Sequence, residues 1–197
     1  MKSSMQSSVR KLTIMAILSA IALIIFIIEA QIPIPFPVPG VKLGLANTIT
    51  LVALFINYHA PLSWDFISRN SSKEKNNDPP VLNNFDVFLI LICRIFLGAF
   101  FTGRIITFVF SISGGLLAFF AMTIIKRFIN DKQIWVCGVI GAIFHNIGQL
   151  SAAIFMTGST AVIVYLPILI IFGTFTGVIT GLVAQFTLLR VRKDMSS

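Results

Sequence analysis

A chain of 197 residues that is 56% hydrophobic and only 11% charged, with a mean hydropathy of +0.94, stands far from the roughly 25% charged residues of water-soluble domains. Apolar stretches of membrane-spanning size use up the length, which leaves no room for a separate soluble catalytic domain. The net charge of +8 is spread over the ends of those stretches rather than gathered in one patch, so nucleic-acid binding is not expected.

Six spans are predicted, at 12–29, 43–59, 86–103, 105–125, 134–157 and 160–189. With these bounds twelve of the fifteen Lys and Arg residues fall on one side: Lys2, Arg10 and Lys11; Arg69, Lys73 and Lys75; Lys126, Arg127 and Lys132; Arg190, Arg192 and Lys193. The other side receives Lys42 and Arg104, and Arg94 lies inside a span. That asymmetry predicts both termini in the cytoplasm. The expectation is therefore one integral membrane domain over 1–197, an all-α six-helix bundle of the bacterial cytoplasmic membrane.

The first span follows a short basic stretch, as a signal peptide would, but it is too long and no small-residue cleavage site follows, so it is read as retained. Ala16 and Ala20 lie four residues apart on it, beside Ser19 and Ala22. Small residues at that spacing permit close helix approach, either to a neighbouring span or to a partner protein. Between spans 1 and 2, Pro33, Pro35, Pro37 and Pro39 alternate with apolar residues. Proline at every second position removes the donors of helix and sheet, which makes this segment extended and stiff, a lid over a cavity or an interfacial connector.

Span 2 opens with Lys42, placed to snorkel towards headgroups, and carries Asn47, Thr48 and Thr50 at greater depth. Polar side chains in hydrocarbon need partners inside the bundle. A polar, turn-rich insert follows over about 60–85 and reads as cytoplasmic and flexible. In span 3, Arg94 is the basic residue furthest from either end, and placing it there costs at least about 2.5 kcal/mol on insertion scales. It must face a ligand, a cavity or backbone carbonyls, because Asp86 is two turns away and no other fixed carboxylate is evident.

Span 4 contains Ser111, Gly114 and Gly115, a close-packing face. Span 5 contains His145, Asn146 and Gln149, with His145 and Gln149 on one helix face. A metal or haem role for His145 lacks a second histidine within a span, so ligand contact or an interhelical network is the expected use. Span 6 has Gly173, Gly177 and Gly181 at four-residue spacing, a groove for tight internal packing, with Pro167 available for a kink. Cys93 and Cys137 fall within spans without ligand spacing and are read as embedded thiols. No phosphate-binding glycine loop, aspartate-rich motif or nucleophile triad is present, no cofactor or metal is implied, and the acidic residues lie mostly at span ends, unpaired for acid–base work.

Four stretches, Val41–Asn47, Ser111–Gly115, Gly141–Gln149 and Tyr165–Pro167, make the chain resemble a family of small membrane proteins called Gx transporters, also known as heptaprenyl diphosphate synthase component I. In architecture that family is similar to the S components of energy-coupling factor (ECF) transporters. The resemblance implies a six-helix bundle binding a vitamin-, cofactor- or quinone-precursor-like solute near the outer face. It implies the first loop as lid, and docking of Ala16 and Ala20 on an ECF transmembrane scaffold served by ATPase subunits. The polar residues expected to line the solute site are Lys42, Asn47, Arg94, His145, Asn146 and Gln149. A second reading, from the synthase designation, is a non-catalytic accessory subunit of prenyl diphosphate or menaquinone side-chain synthesis.

Overall fold

Long apolar runs in lipid have one local solution, since a helix satisfies every backbone donor and acceptor within the segment itself. The computed structural model follows that rule. It describes residues 2–32, 42–56 and 82–196, and these form helices and turns with no strand. The elements are α1 (Lys2–Glu29), α2 (Asn47–Phe55), α3 (Asn84–Thr102), α4 (Ile105–Ile125), α5 (Ile134–Thr157) and α6 (Leu166–Ser196). Short 3-10 turns over Asp131–Gln133 and Thr160–Tyr165 lead into α5 and α6. The expectations for the Pro33–Pro39 segment and for the polar insert between 57 and 81 lie outside the described residues.

Among the described residues, five helical segments are long and apolar enough to cross a membrane: Ser8–Glu29, Asn84–Thr102, Ile105–Ile125, Ile134–Thr157 and Thr160–Val191. Of the expected second span, 43–59, the described residues show a turn at 45–46 and the nine residues of α2. At 1.5 Å per residue α2 covers about 14 Å, roughly half of a hydrocarbon core. All but one of its residues are buried, and a helix enclosed on every face sits at the centre of a bundle rather than on its rim.

Chain punctuation sets the helix ends. The Asp86 carboxylate accepts from the Asn83 N–H at 2.6 Å, closing the start of α3, and binds Lys11 Nζ at 2.8 Å, which ties α1 to α3. Gly103, at φ 62°, ends α3, and Gly158, at φ 64°, ends α5. Both stand in the left-handed region that a side chain would disfavour.

Two apolar clusters divide the interior. One gathers Leu51, Phe55, Ile90, Ile95, Met122, Ile134, Cys137, Ala184 and Leu188. The other holds Phe110, Leu150, Ala153 and Leu169. Along α4, α5 and α6 the buried polar residues Ser111, His145, Gln149 and Thr176 fall between these two levels. A polar layer is thus sandwiched between apolar ones. The last three helices are drawn together by glycine: a Cβ on Gly138 would stand 2.7 Å from Gly181 Cα, and one on Gly148 would stand 2.6 Å from the Ser113 carbonyl oxygen. The tight packing expected of Gly173, Gly177 and Gly181 is therefore realised against α5.

Candidate functional site

The buried polar layer draws a side chain from nearly every element. Glu29 closes α1, Lys42 precedes α2, Asn47 opens α2, Arg94 lies in α3, Ser111 in α4, His145 and Gln149 in α5, and Thr176 in α6. Their exposures are those of core residues: 2% for Glu29, 8% for Lys42, 3% for Arg94 and 0% for Gln149.

Gln149 is the hub. Its Oε1 accepts from the Lys42 backbone N–H at 3.1 Å, which fixes the amide orientation and turns Nε2 towards His145 Nε2, 2.9 Å away. A glutamine nitrogen can only donate, so His145 Nε2 accepts and the imidazole is the neutral tautomer carrying its proton on Nδ1. That nitrogen faces the Gly114 backbone, so close that a Cβ on Gly114 would stand 2.8 Å from it. Glycine at 114 is what lets the imidazole lie flat against α4.

The cationic side of the layer is built differently. Arg94 Nη2 donates to Asn47 Oδ1 over a long 3.5 Å. Lys42 does not snorkel outward as its position at a span end suggested. It turns inward, with Nζ 3.3 Å from the centroid of the Phe26 ring, a cation–π contact. Phe26 in turn lies against Gly98, where a Cβ would come within 2.5 Å of the ring. Burial pushes the Lys42 ammonium down to about 8, against the opposing pull of the Glu29 carboxylate. Lys126, just beyond α4, is also lowered by burial.

Glu29 is the residue that reading the sequence missed. It stands at the end of a span, where a carboxylate ordinarily meets water, yet it is buried and accepts hydrogen bonds from the Gly44 and Leu45 backbone N–H groups. These are donors of the turn that begins α2, so Glu29 caps a helix other than its own. Lys42 and Arg94 are both within its electrostatic reach. The expectation that Arg94 has no fixed carboxylate nearby is corrected accordingly, although no ion pair closes between Glu29 and either cation. The available signal was an acidic residue next to a proline-rich link only thirteen positions before Lys42.

Of the residues expected at a solute site, the structure brings together Lys42, Asn47, Arg94, His145 and Gln149. Asn146 is directed to α6, donating from Nδ2 to the Leu169 carbonyl at 2.7 Å. Ala16 and Ala20 lie away from this layer, exposed on the outer face of α1 beside Ile17, Ile21 and Ile24. Several polar atoms of the layer have no hydrogen-bond partner: Lys42 Nζ, Asn47 Nδ2, Arg94 Nε, Ser111 Oγ and His145 Nδ1. Orphaned donors in a buried environment cost about 1–3 kcal/mol each, more when charged. Among the described residues no group of three or more His, Cys, Asp or Glu side chains converges as a metal site would require.

Comparison with known proteins gives one match. The family model described as heptaprenyl diphosphate synthase component I matches residues 18–69 and 81–188. No curated protein matches the chain, and no solved structure does.

Proposed function

Since the chain belongs to the heptaprenyl diphosphate synthase component I family, we propose that it is a non-catalytic, membrane-embedded binding subunit that holds a small polar solute in its buried polar layer. One observation carries the reading. Lys42 Nζ and Arg94 Nε, both cationic and both buried, lack hydrogen-bond partners in a layer where the Gln149 amide is bonded at both ends, to the Lys42 N–H and to His145 Nε2. A protein selected for stability alone gains nothing from keeping such groups in hydrocarbon.

The proposal includes a topology of six spans with both termini cytoplasmic, supported by the distribution of Lys and Arg. It also includes a partner. The exposed small residues Ala16 and Ala20 on α1 support docking of another membrane helix, as an S component docks on an energising scaffold with its ATPases. Native mass spectrometry of gently extracted protein tests the reading. A co-purified small molecule, lost in Gln149→Leu, is expected. Protein that emerges without any small molecule from cells in which it is active would overturn it.

A second reading is favoured by the family match itself. The family's description names a prenyl diphosphate synthase, and an accessory subunit of such an enzyme would present a cytoplasmic docking surface to a soluble catalytic chain. Affinity purification separates the two. Recovery of ATPase subunits supports the solute-binding reading, whereas stoichiometric recovery of a soluble synthase supports the accessory one.

A further inference from the structure

The charges of the polar layer do not cancel. Counted as ionised groups, Lys42 and Arg94 contribute two positive charges and Glu29, which accepts backbone N–H bonds within electrostatic reach of both, contributes one negative charge, while His145, whose Nε2 accepts a hydrogen bond, contributes none. The remainder is a single positive charge in an interior bounded by apolar clusters on both sides. An uncompensated buried charge is among the most costly features a fold can carry. Two of the unpartnered atoms lie on the cations, Lys42 Nζ and Arg94 Nε, both residues more than nine-tenths buried, and neutral Asn47 Nδ2, Ser111 Oγ and His145 Nδ1 make up the rest of the layer's set. Glu29 meanwhile accepts from the Gly44 and Leu45 N–H groups and closes no ion pair with either cation.

We infer that the layer takes a ligand group bearing one negative charge, bound between Lys42 and Arg94, and that Glu29 is the internal anion that sets its affinity. The inference rests on the solute-binding reading above and deepens it. Glu29 plays two opposed parts. By capping the turn before α2 it fixes the backbone from which Lys42 projects. By its charge it competes with the ligand and excludes groups of higher charge, because only one positive charge remains to be neutralised. A carboxylate on a small amphiphile and the phosphodiester of an anionic lipid share this chemistry.

Equilibrium binding of labelled octanoate to the full chain in phosphatidylcholine nanodiscs tests it, with octanamide as the uncharged analogue. Octanoate is expected to bind at least about tenfold more tightly than octanamide, a difference of about 1.4 kcal/mol. Arg94→Gln and Lys42→Met should each weaken octanoate at least tenfold and octanamide by far less. Glu29→Gln, which keeps the hydrogen-bonding oxygen and removes the charge, should strengthen octanoate about tenfold. A gain in affinity cannot come from misfolding. Pyrophosphate should fail to displace octanoate from the wild type and should displace it from Glu29→Gln. Doping the nanodiscs with phosphatidylglycerol separates the sources: displacement assigns the group to a lipid headgroup, and undisturbed binding to a free solute, either of which upholds the inference. Equal affinity for the two analogues, weaker octanoate binding in Glu29→Gln, or displacement by pyrophosphate from the wild type would overturn it. If both analogues bind equally and both are lost in Gln149→Leu, the solute-binding reading survives without this inference. If neither analogue binds in a Gln149-dependent way, both fall.

Discussion

Arg94 and Lys42 hold the same charge by different means. The Arg94 guanidinium is held by one long bond to Asn47, whereas the Lys42 ammonium rests on the Phe26 ring. A charge-assisted hydrogen bond to a ligand contributes roughly 1.5–3 kcal/mol, so Arg94→Gln should lower solute affinity by about one to two decades without preventing insertion. Titration of the purified variant checks this; normal affinity accompanied by aggregation on extraction would make Arg94 a structural residue. Lys42 adds a pH dependence. Its ammonium, the form that attracts an anion, is present below about 8 and is lost as pH rises through that value. The charged groups facing it are Glu29 from α1, Arg94 from α3 and Arg104 before α4, with His145 from α5 held neutral by its acceptor role. Anion affinity measured from pH 7 to 9 should therefore fall, and Lys42→Met should flatten the profile over that window.

Helices in a bilayer are not driven together by the hydrophobic effect, so close packing of small residues does the work. The α5–α6 seam is the clearest case, because a Cβ on Gly181 would stand 2.6 Å from the Trp135 carbonyl oxygen and one on Gly177 would stand 2.7 Å from Val139 Cα. Backbone cannot step aside as a side-chain tip can. Gly181→Leu should therefore destabilise the bundle by about 1–3 kcal/mol or more, seen as a lower thermal midpoint in detergent, while Gly158→Ala, next to open space, should be limited to its left-handed backbone strain. The alanines of α1 are the opposite case. Ala16 and Ala20 face outward, so Ala16→Trp with Ala20→Trp should leave folding intact and abolish co-purification with a membrane partner. Retained co-purification would place the partner elsewhere.

Across the whole molecule the sequence makes a topological statement that labelling can check. Ser72→Cys, in the insert outside the described residues, should resist membrane-impermeant thiol reagents in intact cells and react after permeabilisation. Strong labelling in intact cells would reverse the orientation. Span positions were largely legible in advance: the expected 105–125 and 134–157 coincide with α4 and α5, and 86–103 lies within two residues of α3. Hydropathy sums along the chain and needs no knowledge of neighbours, which is why those bounds follow from composition in a window. Membership of the layer was legible for Asn47, Arg94, His145 and Gln149 by the same logic, since a polar residue at that depth must turn inward. The partners were not legible. The Lys42 N–H meets Gln149 across 107 residues, Asn146 turns to Leu169 on α6 rather than to Arg94, and Glu29 leaves its span end to cap the turn before α2. Depth is a property of each residue alone, whereas the direction in which a buried side chain finds its hydrogen bond depends on how close two backbones come, and glycines distributed over four different helices decide that jointly.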